Sequence, residues 1–149
     1  MFTKKNKLKS FLSLLLLAGV ASVGFQPSTK AENNTLAGMI SSEGFLTRTA
    51  DIMNQRLPIM VDNDTRWDSS SAGPGKSLNY YYTLVNHSAN NIDGYVFAKN
   101  AHQLLIERVC NEPSVVMFPQ GGVLLNFNYY DNTRNLIARV KVEPSDCGY

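Results

Sequence analysis

Two cysteines, two histidines and twelve carboxylates are the residues that could carry chemistry in this chain of 149 residues, and their spacing decides what that chemistry can be. His87 and His102 each lack a second ligand at metal spacing, so the pattern offers no metal site and no cofactor site. Asp62-Asn63-Asp64 begins like a calcium loop. Its fifth position, however, is Arg66, its sixth is Trp67 where a glycine is required, and its twelfth is Gly73 where a bidentate glutamate belongs. The segment reads as a polar strand edge. Ser70-Ser71-Ala72-Gly73-Pro74-Gly75-Lys76-Ser77 is one residue short of a phosphate-binding loop, with Ser70 in place of the first glycine. Such a loop needs a helix N-terminus after it to aim N–H groups at phosphate, and here an alternating strand follows, so the segment reads as a hairpin turn. No nucleophile elbow and no placed pair of carboxylates supplies catalytic residues. An enzyme with an unrecognised site stays as an alternative, because triads assemble from distant positions.

The ends of the chain say where it works. Lys4, Lys5, Lys7 and Lys9 precede an apolar run over residues 11–25, and a polar exit leads to Ala31. A basic start, a short apolar centre and a small-residue exit form a secretory signal peptide. The run falls short of the roughly 20 residues a permanent spanning helix needs. Residues 1–31 are therefore expected to be the signal peptide, with cleavage after Ala21 or Gly24 as alternatives, and residues 32–149 to be one domain. Leu17-Ala18-Gly19 is followed by Val20, so no cysteine is there to be acylated and no stable membrane anchor is expected after processing. The expected location is the periplasm or the exterior.

Export settles the thiol chemistry. Two cysteines in an oxidising compartment have one possible pairing, Cys110 with Cys147, and a structural disulfide follows. Export also changes the charge. The first 31 residues hold five lysines and no acid, which leaves nine basic against twelve acidic residues, a net −3. Without a basic stripe, nucleic acid is not an expected partner.

The elements that must position these residues follow from periodicity. Leu36, Met39, Leu46, Ala50, Met53 and Leu57 recur at helical spacing, with Asn34 or Thr35 as N-cap, Gly38 and Gly44 as weak points and Pro58 as the stop. Residues 59–68 read as extended, and residues 69–76 as a turn. Leu78, Tyr80, Tyr82 and Leu84 mark one face of a strand. A second helix is expected from Gly94 or Tyr95 to Cys110, then a short one opening at Pro113. Val123, Leu125, Phe127 and Tyr129 define a third strand, and Leu136, Ala138, Val140 and Val142 its partner. The order α-β-β-α-β-β predicts an α+β fold: a four-stranded antiparallel sheet of two hairpins, with helices packed on one face and one disulfide. Tyr81 and Tyr130 then fall on the face that such an architecture leaves open, where amphipathic aromatics suit binding.

Several segments resemble a group of small exported bacterial proteins of uncharacterised function that includes the beta-class type II secretion pilotins. They are Asn54-Gln55-Arg56-Leu57-Pro58-Ile59, Val109-Cys110-Asn111-Glu112-Pro113-Ser114-Val115, Gly122, Tyr130-Asp131-Asn132-Thr133 and Asp146-Cys147-Gly148. Leu57-Pro58 with Val61-Asp62 and the tyrosine-rich strand are shared with the broader relatives. The resemblance implies a helix-flanked sheet with one disulfide and a non-enzymatic protein that grips a short amphipathic helix of a secretin. Pilotins of this kind are lipoproteins, and Val20 departs from that pattern. The expected function is thus an exported protein-binding or assembly module, with a periplasmic inhibitor or immunity-type protein as the alternative. Its expected partner is another protein, held either in a groove beside the first helix, at Leu46 and Met53, or on the open face at Tyr81 and Tyr130. The groove is placed slightly ahead, on the pilotin resemblance and because Gly38 and Gly44 would let the first turns move and admit another helix.

Overall fold

Two helices, α1 (Lys30–Ile40) and α2 (Glu43–Asn54), stand where periodicity predicts one over residues 36–57, and Asn34 and Thr35, read as its N-cap, lie inside α1. The computed structural model describes residues 30–149, so the signal peptide read at residues 1–31 lies outside the described residues except for its last two positions. The break between the helices comes from Ser42. Its backbone is extended (φ −69°, ψ 142°), and its Oγ accepts the Phe45 N–H at 3.3 Å while donating to the Met39 carbonyl at 2.8 Å. One hydroxyl thereby closes α1 and opens α2, and such a cap stabilises a helix start by about 1 kcal/mol.

Strand β1 (Ile59–Met60) and strand β2 (Thr65–Gly73) fold back on one another. The turn between them is made by Asp62, whose Oδ1 accepts the N–H groups of Asp64 at 2.8 Å and Thr65 at 2.7 Å. Residues 59–68 are therefore not one extended stretch, and Asp62-Asn63-Asp64 is a turn rather than a strand edge. The serines at 69–71, read from composition as a turn, are the middle of β2, because pairing to strand β3 (Ser77–Leu84) satisfies their backbone. The turn shrinks to Pro74-Gly75-Lys76, with Gly75 and Lys76 at φ 71° and 57°.

Helix α3 (Gly94–Asn111) starts at Asp93, whose Oδ1 accepts the N–H groups of Tyr95 and Val96, both at 3.0 Å. Helix α4 (Pro113–Gln120) follows with Pro113 in its first turn, where a missing N–H costs nothing. The chain then enters strand β4 (Leu124–Asp131) and strand β5 (Leu136–Val142), and closes on a 3-10 turn, Pro144–Cys147. Gly94 sits so close to the backbone carbonyl of Ile137 that a Cβ there would collide with it, which is how α3 seats on β5.

The sheet has five strands in the order β1-β2-β3-β4-β5, and it is mixed. Three of its pairings are antiparallel, but β3 and β4 run parallel, Ser77 facing Leu124 and Leu84 facing Asp131. The expected four-stranded antiparallel sheet is corrected on both counts. The parallel pair follows from the connection: α3 and α4 carry the chain back to the end of the sheet where β3 began, and the Leu124 N–H donates to the Lys76 carbonyl at 3.0 Å. The class, an α+β fold with one disulfide, is as read.

One core holds the layers together. Leu46 and Ala50 of α2, Val109 of α3, and Val115 and Phe118 of α4 pack on Trp67, Leu78, Tyr80, Tyr82, Leu125, Phe127, Val140 and Val142. Aromatic rings form its spine. Tyr80 stacks on Phe127 with centroids 4.9 Å apart, Tyr82 on Tyr129 at 5.3 Å, and Phe97 meets Tyr129 edge-on at 5.0 Å. Such pairs contribute about 0.5–1.5 kcal/mol each beyond area burial. Burial also pushes the Tyr80, Tyr82 and Tyr129 phenols well above their ordinary range. Cys110 and Cys147 are bonded, with Cα atoms 5.3 Å apart, joining the end of α3 to the final 3-10 turn.

Candidate functional site

Buried residues of all four helices, Ile40, Leu46, Ala50, Val109, Val115 and Phe118, join the one cluster on the core face of the sheet, so among the described residues the helices pack on that face and the opposite one is left open. Strand alternation places one set of side chains there, and the register arranges it in rows across the strands. One row runs Ser71, Asn79, Asn126, Lys141, and the next Ser69, Tyr81, Asn128, Arg139. A third holds Arg66, Thr83 and Tyr130. The residues in these rows are thus serine, asparagine, threonine, tyrosine and cations.

These side chains are tied to one another. The Tyr81 hydroxyl and Ser71 Oγ lie 3.2 Å apart, Asn126 Nδ2 donates to Asn79 Oδ1 at 2.9 Å, and Asn128 Nδ2 donates to the Tyr80 carbonyl at 3.2 Å. Asp68, at a bulge in β2, accepts from both Arg66 Nε and Thr83 Oγ1. A network of this kind holds polar side chains in place at little further entropic cost, as a binding surface requires.

At the end of the face where β3 and β4 finish, a groove of about 570 Å³ opens among Pro58, Arg66, Asp68, Thr83, Tyr130 and Arg134. Its wall is the β4–β5 turn, organised by Asp131, which has no exposed surface. Asp131 Oδ2 accepts the Ala89 N–H at 2.9 Å and Asn135 Nδ2 at 3.2 Å. Its Oδ1 accepts the N–H groups of Thr133 and Asn135 and the Thr133 hydroxyl, each at 2.8 Å. The Ala89 N–H above all, with the Asn135 and Thr133 donors, holds this carboxyl well below the usual carboxylate range despite its desolvation. Asp131 is a fixed anion that shapes the turn and the loop after β3. Nothing in the sequence beyond a hairpin-type Asp-Asn-Thr marks it.

The structure brings together two of the four partner-binding residues read from sequence. Tyr81 and Tyr130 are half-buried on the same face of neighbouring strands, two residues apart in register. Leu46 is 1% exposed in the core, and Met53 is packed partly against that core at the far end of α2. Gly38 and Gly44 have open space where a Cβ would stand. The sequence places a turn at residues 131–135, as found, but does not show the buried Asp131 carboxylate that organises it, the Asp68 bulge or the place of Arg134 beside the groove, since each depends on chain segments far apart in sequence. Of the remaining candidates, His87 lies exposed near Asp64, and His102 Nε2 is 3.4 Å from Asp146 Oδ2. Among the described residues no group of three or more histidines, cysteines or carboxylates could hold a metal ion.

Comparison with known proteins places this fold. A search of curated proteins finds no match to the sequence. Among solved structures, a presumed secreted protein of Pseudomonas aeruginosa superimposes with a TM-score of 0.59 at 14% identity, over 80% of this chain and 99% of its own. The pilotin EpsS of the Vibrio vulnificus type 2 secretion system gives 0.55 at 15% identity, over 80% of this chain and 99% of that one. The type II secretion system pilotin AspS of Vibrio cholerae gives 0.56 at 13% identity, over 80% and 100%. The pilotin-like resemblance read from sequence is therefore present in the fold. A family model matches residues 42–137, from the cap of α2 to the start of β5, and the chain belongs to the family described as a domain of unknown function, DUF8479.

Proposed function

We propose that this chain is an exported, non-enzymatic protein-binding module that holds a short segment of a partner protein on the open face of its sheet. The observation that carries the proposal is the pair Tyr81 and Tyr130, half-buried beside each other on an uncovered, hydrogen-bonded face that ends in a groove. Tyrosine surrounded by serine and asparagine supplies large contact area and adaptable hydrogen bonding at small entropic cost. Two solved structures with this fold are named as secretion-system pilotins, which supports an assembly role; a short helix as the segment held rests on the resemblance read from the sequence. A presumed secreted protein with the same fold supports export, and cleavage after Ala31 rests on the sequence pattern of the first 31 residues.

Docking beside α2, around Met53, is a second reading. The solvent-facing side chains of Met39, 60% exposed, and Ile52, 43% exposed, favour it. Affinity capture from the source cell's exported proteins separates the two. The open-face reading expects specific proteins on the wild-type chain and their loss with Tyr81→Ala plus Tyr130→Ala. The same proteins retained by that double variant would move the site to α2, and no capture above a blank matrix would overturn the binding role.

A further inference from the structure

The open face carries a charge imbalance that points to the chemistry of its occupant. Arg66 is paired with Asp68, and the Asp131 carboxylate is surrounded by donors. Glu143, just beyond β5, caps the last 3-10 turn. What remains is Arg134, Arg139 and Lys141, all from the β4–β5 hairpin, and none has an acidic partner among the described residues. Arg139 and Lys141 are exposed two residues apart on one side of a strand, which sets them about 7 Å from each other. Like charges at that distance lie within a Debye length, about 8 Å at physiological salt, so each raises the potential at the other. They do so on a mature chain whose net charge is −3, in which the other six bases face twelve acids.

We infer that the segment held on this face is acidic, with its carboxylates on Arg134, Arg139 and Lys141 and its apolar side chains against Tyr81 and Tyr130. This rests on the protein-binding reading above and adds the chemistry of the partner to it. Three cations flank the tyrosines on one side only, and the groove at the Arg134 end admits a side chain or a chain terminus. Carboxylates recognise guanidinium through paired hydrogen bonds, which suits the two arginines. A nucleic acid is the poorer occupant, because three cations on a net-acidic protein make no continuous track for a phosphate backbone.

Selection from a phage-displayed library of random peptides about twelve residues long, enough to cross the sheet in any conformation, tests the inference on the mature protein. The wild type is expected to enrich Asp and Glu. Synthetic copies of the selected peptides should bind on the order of tenfold more weakly to Arg134→Asn/Arg139→Glu/Lys141→Glu, and more weakly at high salt. Asn is chosen at 134 because it tolerates the φ of 70° there. An unchanged urea midpoint for the variant would show that folding is intact. Selection of neutral or basic peptides whose binding falls with Tyr81→Ala/Tyr130→Ala would overturn the acidic partner and leave the protein-binding reading standing. Acidic peptides bound equally by the charge variant, or displaced by oligothymidine of the same charge, would also overturn it. No enrichment by the wild type would overturn the protein-binding reading itself.

Discussion

Replacing Cys110 and Cys147 by serine, singly and together, measures how much of this small domain's stability comes from one covalent link. The bond closes a loop of 37 residues that contains α4, β4 and β5. In the chain-entropy model, loss of such a loop closure from the unfolded ensemble costs roughly 4 kcal/mol. A domain of 118 residues, counted as 149 − 31, has a total stability of roughly 6–18 kcal/mol, so the link accounts for a quarter to two-thirds of it. At about 4 °C per kcal/mol, the melting temperature should fall by about 15 °C. Urea unfolding followed by tryptophan fluorescence reads this directly, since Trp67 is 4% exposed in the core. The double variant should match the singles, because one bond is lost in each case, and reduced wild type should match all three. Two reactive thiols in the native protein would refute the pairing. A double variant within about 1 kcal/mol of wild type would refute the entropic account and assign the constraint to packing of the last turn.

Three further outcomes are expected. Leu46→Ala should cost about 2–5 kcal/mol by urea unfolding, because Leu46 is 1% exposed, whereas Tyr81→Ala/Tyr130→Ala should cost clearly less while weakening partner capture; equal losses would remove the open-face site. Asp131→Asn should destabilise at neutral pH, since the new amide turns donors toward the Ala89 N–H or the Thr133 and Asn135 N–H groups. The folded carboxyl is lowered, so its contribution is complete above the unfolded value of about 3.9 and is lost as pH falls below it; the gap between wild type and Asp131→Asn should narrow from about pH 6 to pH 2, and a constant gap would refute the role of the charge. Intact mass of the exported protein should begin at Glu32 and carry no lipid, and a species starting at Met1 or bearing an acyl chain would refute the expected processing.

The sequence alone determined the features governed by near neighbours. The alternation of Leu78, Tyr80, Tyr82 and Leu84 specifies a strand with one buried face, and the structure buries all four. Pro113 and the Gly94 region mark helix starts through local backbone and capping chemistry, and two cysteines permit one bond. The placement of Tyr81 and Tyr130 opposite the core follows from the same period of two. Tertiary structure decided whatever depends on partners far along the chain. Ser69, Ser70 and Ser71 have turn composition, yet they lie in a strand because β3 pairs with them and Asn54 bonds Ser70 from α2 in both directions, at 2.8 and 2.7 Å. Nothing in the strand patterns states whether β3 and β4 run parallel; the return path of α3 and α4 sets it. Asp131 becomes a buried anion only when the loop at Ala89 arrives to donate to it, 42 residues away. Local rules act through covalent neighbours and are visible in one dimension, whereas a backbone group left unpaired or a carboxylate left in a loop takes whichever partner the folded chain brings to it.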